Sequence, residues 1–124
     1  MSKRSAITAV LVVALSLTWL VPASVGATVR VKAAGSTTDG WKWQPKTRHA
    51  AKGDRVVWRN PTGATHTVTA YSNNWSKNST VGSGERTKFK FRRKGTFKYR
   101  CMTQGHSSLN NGRCVGMCGK IRVH

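Results

Sequence analysis

Apolar and polar side chains alternate with a period of two through most of the chain after residue 27. That period marks strands with one buried face. It predicts seven of them: "TVRVKA" at 28–33, "WKWQP" at 41–45, "RVVWRN" at 55–60, "HTVTAY" at 66–71, "RTKFKFR" at 86–92, "TFKYRC" at 96–101 and "GKIRV" at 119–123. The connectors "AAKGD", "NPTGA", "GSGE" and "RKG" are built from turn residues. "YSNNWSKNST", residues 71–80, is polar and reads as a surface loop with room for one helical turn. No segment after residue 27 sustains a helical period. Short, numerous strands with turns between them predict an all-β Greek-key sandwich or barrel.

The first residues follow a different pattern. Lys3 and Arg4 precede the apolar run "AITAVLVVALSLTWLV", which gives way to the small residues "PASVGA". Charge, apolar run and small residues in that order make an export signal, and the run is shorter than a bilayer span. Cleavage after Ala27 divides the chain into a signal peptide, residues 1–27, and one domain, residues 28–124; an uncleaved anchor is the alternative. No membrane span is then expected in the mature chain.

Charge narrows the partners. The chain has 22 Lys and Arg against Asp39, Asp54 and Glu85, a formal net charge of +19. Such a field calls for anions: an acidic redox partner or an anionic cell envelope. Nucleic acid is disfavoured for an exported chain whose cations accompany no recognised nucleic-acid module. Three carboxylates with no evident acid/base pair also argue against an enzyme.

Strand parity then singles out a set of side chains. Phe97, Tyr99 and Cys101 share the inward face of one strand, and His66, Val68 and Ala70 that of another. Val123 and Ile121 set a parity that reaches back to Met117, with Cys118 on the opposite face. Trp41, Trp43 and Trp58 read as core, as do the phenylalanines of "KFKFRRKGTFKYR". A thiolate, imidazoles and a thioether gathered at one end of a sandwich favour copper. Each also has a structural reading: Cys101 as a disulfide partner of Cys114 or Cys118, His66 as a strand cap, Met117 as core filler. His49 and His124 read as surface residues, or as a second, weaker copper or zinc site.

"GDRVVWRNPTGATHTVTA", "GTFKYRCMTQGH" and "GMCGKIRV" together resemble the cupredoxin family, in its plastocyanin-like and azurin-like blue copper proteins. The resemblance covers nearly all of residues 28–124. It implies a Greek-key sandwich, one type 1 copper ion, and His66, Cys101, His106 and Met117 as its ligands. Ten residues, "SSLNNGRCVG", separate His106 from Met117, more than in familiar members, which leaves Gln104 or a carbonyl near Ala64 as other axial ligands. That insertion brings Cys114 within disulfide reach of Cys118, with Cys101 left as the metal-bound thiolate. The implied function is a monomeric, extracytoplasmic electron carrier; the alternative is a copper carrier or storage protein with no electron-transfer role.

Overall fold

The computed structural model describes residues 26–124, so the signal peptide expected over residues 1–27 lies almost wholly outside the described residues. The described residues form eleven strands: β1 (Thr28–Ser36), β2 (Gly40–Gln44), β3 (Thr47–Ala50), β4 (Arg55–Arg59), β5 (His66–Ala70), β6 (Asn78–Val81), β7 (Arg86–Lys90), β8 (Gly95–Arg100), β9 (Ser107–Asn110), β10 (Arg113–Gly116) and β11 (Cys118–Val123). One sheet has the order β2-β1-β4-β7, a second β3-β11-β8-β5-β6, and β9 and β10 form a separate ribbon. Among the described residues there is no helix, and none is long and apolar enough to cross a membrane. The fold is the all-β sandwich that the alternation dictates.

The alternating positions do face inward. In β1 the pattern is exposed at Thr28, Arg30 and Lys32 and buried at Val29, Val31 and Ala33. In β4 Val56 and Trp58 are fully buried between exposed arginines. Trp43, Trp58, Phe91, Phe97 and Tyr99 fill the space between the sheets, with Trp58 meeting Tyr99 edge-on at 5.3 Å between ring centroids. Burying each aromatic removes enough apolar surface to contribute about 2 kcal/mol or more.

Four strands escape the alternation rule. β3 and β6 are polar four-residue edge strands, held by backbone pairing to β11 and β5. β6 begins inside the stretch expected to be a loop, whose Trp75 packs on the core. The residues 107–116, expected as an enlarged loop, instead form the β9–β10 hairpin. Asn111 and Gly112 turn it with φ of 50° and 75°; two consecutive left-handed residues make the tight turn that matches strand twist.

Pairing of β1 with β4 begins before Thr28. The Ala27 amide donates to the Asp54 carboxylate at 2.9 Å, and its carbonyl accepts from Arg55 at 3.0 Å. A chain beginning at Thr28 loses both bonds. It is expected to be about 1–3 kcal/mol less stable than one beginning at Gly26, read from urea unfolding of the two forms; equal midpoints would refute this.

Candidate metal centre

His66, Cys101 and His106 converge at one end of the sandwich. Each is delivered by a different device. His66 opens β5 and is fully buried; Cys101 follows β8 and is also fully buried; His106 lies on the turn between β8 and β9 and is half-buried. The His106 amide donates to the Thr103 carbonyl at 3.0 Å, which folds the five residues after Cys101 into a compact turn.

The three donor atoms face one another. His66 Nδ1 and His106 Nδ1 are 3.1 Å apart, Cys101 Sγ is 3.5 Å from His106 Nδ1, and 3.8 Å from His66 Nδ1. The point equidistant from all three lies about 2 Å from each, a metal–nitrogen bond length, and a displacement out of their plane reaches about 2.3 Å, that of a metal–sulfur bond. The residues therefore fit a trigonal transition-metal site, which a strand cap or a core thiol would have no reason to form.

Met117 is fully buried beside them. Its amide donates to the His106 carbonyl at 2.8 Å and its carbonyl accepts from the Cys101 amide at 3.0 Å. The thioether is thus carried by the same backbone that holds two of the three donors. Of the other axial ligands considered, the Ala64 carbonyl already accepts from the Asn60 side-chain Nδ2–H at 2.6 Å, and Gln104 is exposed. Gly116, with φ of 96°, permits the close approach: a Cβ there would stand 2.5 Å from the His106 carbonyl oxygen.

Cys114 of β10 is joined to Cys118 of β11 by a disulfide, and Cys101 is a free thiol. The bridge links β10 to the start of β11 on either side of Met117. His49 and His124 lie away from this group, with His49 Nδ1 and His124 Nε2 2.7 Å apart on the surface. Their centroid separation of 5.0 Å and interplanar angle of 11° place the rings head to head. That is hydrogen-bond geometry, and these two rings stand without a third donor of the kind that completes the His66 group.

The surroundings settle how the donors present themselves. Asn60, fully buried, donates to the Ala64 and Val81 carbonyls at 2.6 and 2.9 Å. Its Oδ1 accepts from the Thr62 amide at 3.0 Å and the Thr62 hydroxyl at 2.6 Å. With its proton committed to Asn60, the Thr62 oxygen accepts from His66 Nε2–H at 2.8 Å. That assignment leaves the His66 Nδ1 lone pair toward Cys101, the orientation a metal requires. The Thr67 amide donates to Cys101 Sγ at 3.3 Å and holds the sulfur in place.

Both imidazoles are held neutral. Burial first, and the neighbouring His106 second, lower the His66 pKa to about 4; burial lowers that of His106. Metal and proton compete for the same nitrogens. Metal uptake is therefore expected to persist below pH 6.5 and to be lost by the time the pH has fallen through about 4, where His66 takes its proton, read by chelator competition across pH; a midpoint at or above 6.5 would contradict this. In the metal-free chain the unfolded His66 binds its proton near pH 6.5 and the folded one near 4. Its contribution to stability is complete above 6.5 and is lost as pH falls through 4.

Sequence reasoning gave Asn60 and Thr62 no part in the site, reading Asn60 as the end of a strand and the start of a turn and Thr62 as a turn residue, although Asn60 shares the inward parity of Val56 and Trp58. A polar side chain at a core position was the available signal. Trp41, expected in the core, is half-buried at the site instead, stacked on His106 at 5.5 Å and edge-on to His66 at 5.0 Å. Replacing Thr62 by Val is expected to lower copper affinity about 10- to 100-fold while leaving the fold intact, measured by chelator competition beside thermal unfolding; unchanged affinity would remove Thr62 from the account.

No family model matches the chain, and no curated protein does. Solved structures do. The purple cupredoxin from Nitrosopumilus maritimus superposes with a TM-score of 0.61 at 18% identity, over 77% of this chain and 99% of that one. A reduced amicyanin variant superposes with a TM-score of 0.59 at 20% identity, over 78% and 82%. A Cu(I) form of another amicyanin variant gives 0.61 at 22% identity, over 80% and 83%. The described domain has the cupredoxin fold.

Proposed function

We propose that this chain is an extracytoplasmic type 1 copper protein that carries single electrons between redox partners, with His66, Cys101, His106 and Met117 as ligands. The observation that carries the reading is the triangle of two Nδ1 atoms and one Sγ, sized for a copper ion. The chemistry of the donors agrees, since two imidazoles, a thiolate and a thioether are the blue-copper set. Bound copper supplies the one-electron couple. The chain's part is to hold the donors in one arrangement, so that little rearranges when the electron arrives or leaves.

Asn60 and Thr62 fix one imidazole, the β8–β9 turn fixes the other, and the disulfide around Met117 ties the third strand end in place. His106 is the least buried of the three close donors and forms the electron's way out. Lys98, Arg100 and Arg113 stand on nearby strands and favour an acidic partner. Four donor side chains would leave no open position for a substrate on the ion, which suits a carrier and not an enzyme. The export signal expected at the N-terminus and the disulfide both suit an oxidising compartment.

The test is electron self-exchange of the copper-loaded protein by NMR line broadening, together with transfer of copper to an apo-acceptor. Rapid exchange with retained copper supports the electron carrier. Slow exchange with ready surrender of Cu(I) would establish the copper carrier instead.

A further inference from the structure

The cations are scattered along the sequence but not in space. On the solvent side of the β2-β1-β4-β7 sheet, Lys32, Arg59 and Arg86 stand directly opposite one another on three adjacent strands. Arg30 and Lys88 flank Val57 in the next row, and Arg55 and Lys90 pair in the row beyond. Lys42 of β2 points the same way. All eight are exposed. The outer side of the other sheet differs: its cations, Lys98, Arg100, Lys120 and Arg122, share the surface with Thr67, Thr69 and Thr80.

No carboxylate stands in these rows. Asp54 is buried and accepts from the Ala27 and Ala51 amides, Asp39 is engaged by Ser36, and Glu85 accepts from the Gly82 amide. Like charges directly opposite across a ladder are destabilising, and solubility alone would be served better by spreading them. The arrangement makes sense where an anionic surface takes up the repulsion.

We infer that this sheet face docks the domain on an anionic phospholipid bilayer through headgroup phosphates. Three observations choose that occupant. The array is two-dimensional, several rows deep, which matches a plane of headgroups better than a single extended polymer. No aromatic side chain belongs to it, so it offers no stacking platform for bases. It also excludes His106, at the end of the sandwich, so a redox partner seated on it would miss the donor group, whereas a membrane on this side leaves that end free. Arg30, Lys32, Arg59 and Arg86 line an open depression in the face, large enough for a phosphate.

The experiment uses metal-free protein exported by a bacterial host, sedimented with phosphatidylcholine vesicles with or without about a quarter of phosphatidylglycerol. Neutral vesicles report any contribution from the apolar N-terminal segment. Binding to the anionic vesicles is expected, falling steeply as salt rises. Changing Lys32→Gln, Arg59→Gln and Arg86→Gln together is expected to weaken it about 100-fold, with no loss of thermal stability because repulsion is relieved. The matched variant Lys98→Gln, Lys120→Gln, Arg122→Gln carries the same net charge and is expected to bind nearly as the parent does.

Equal losses in the two variants would overturn the assignment, since only total charge would then matter. So would indifference of the parent protein to anionic lipid, or tighter binding to duplex DNA than to the vesicles at equal salt. No candidate metal ligand takes part, so failure here leaves the copper reading standing, and failure of that reading leaves this one.

Discussion

Replacing Cys101 with serine is expected to weaken copper binding by more than about 100-fold and to leave the loaded protein without intense visible colour. The magnitude follows from the coordination shell: loss of a partner outside that shell already costs about 10- to 100-fold, and a direct ligand must exceed it. Colour goes with it because the band arises from charge moving between thiolate sulfur and Cu(II), and no other free thiol exists among the described residues. Sulfur is also the soft donor that distinguishes copper from harder ions at this site. The metal-free variant should unfold near the parent, since serine is small and the Thr67 amide that faces Sγ at 3.3 Å retains an oxygen acceptor. Chelator competition and absorption of the loaded variant are the measurements. Retained colour or retained affinity would dismiss Cys101 as a ligand.

The second large effect is expected at Asn60, where fold and site meet. Asn60→Ala removes both donors that reach the Ala64 and Val81 carbonyls and the oxygen that receives Thr62. Each buried group left unpaired costs about 1–3 kcal/mol, so a loss of about 2–4 kcal/mol is expected after local relaxation. That is a large share of the stability of a single small domain. Copper affinity should fall as well, because Thr62 is released and the His66 tautomer is no longer imposed. Asn60→Asp offers no rescue: it preserves shape but sets a carboxylate against two carbonyl oxygens. Urea unfolding and chelator competition on both variants check this. A stability change below about 0.5 kcal/mol would show that the network is incidental.

These residues also mark where the sequence is legible. Period-two alternation located β1, β2, β4, β5, β7, β8 and β11, because each buries one face and its side chains record that. β3, β6, β9 and β10 bury little of their own surface; backbone pairing and, in the hairpin, the Asn111–Gly112 turn make them strands. Cys101, His66 and Met117 were found by parity, and His106 by its place in a recognisable spacing. Their mutual distances were not, since those depend on how β5 and β8 are brought together. Asn60 was overlooked because a turn and an inward-facing hydrogen-bond hub share the same letters. The cationic face was hidden for a similar reason: only the register between β1, β4 and β7 turns dispersed lysines and arginines into one array.

The central claim is that two Nδ1 atoms and one Sγ, fixed before metal arrives, hold a single copper ion. It is tested most directly by titrating the metal-free protein with Cu(II) while following visible absorption and then mapping the cysteines by mass. The account predicts one equivalent bound with intense colour, Cys114 bridged to Cys118, and Cys101 unmodified until copper is removed. A solution that stays colourless, with Cys101 found bridged to either of the others, would contradict it.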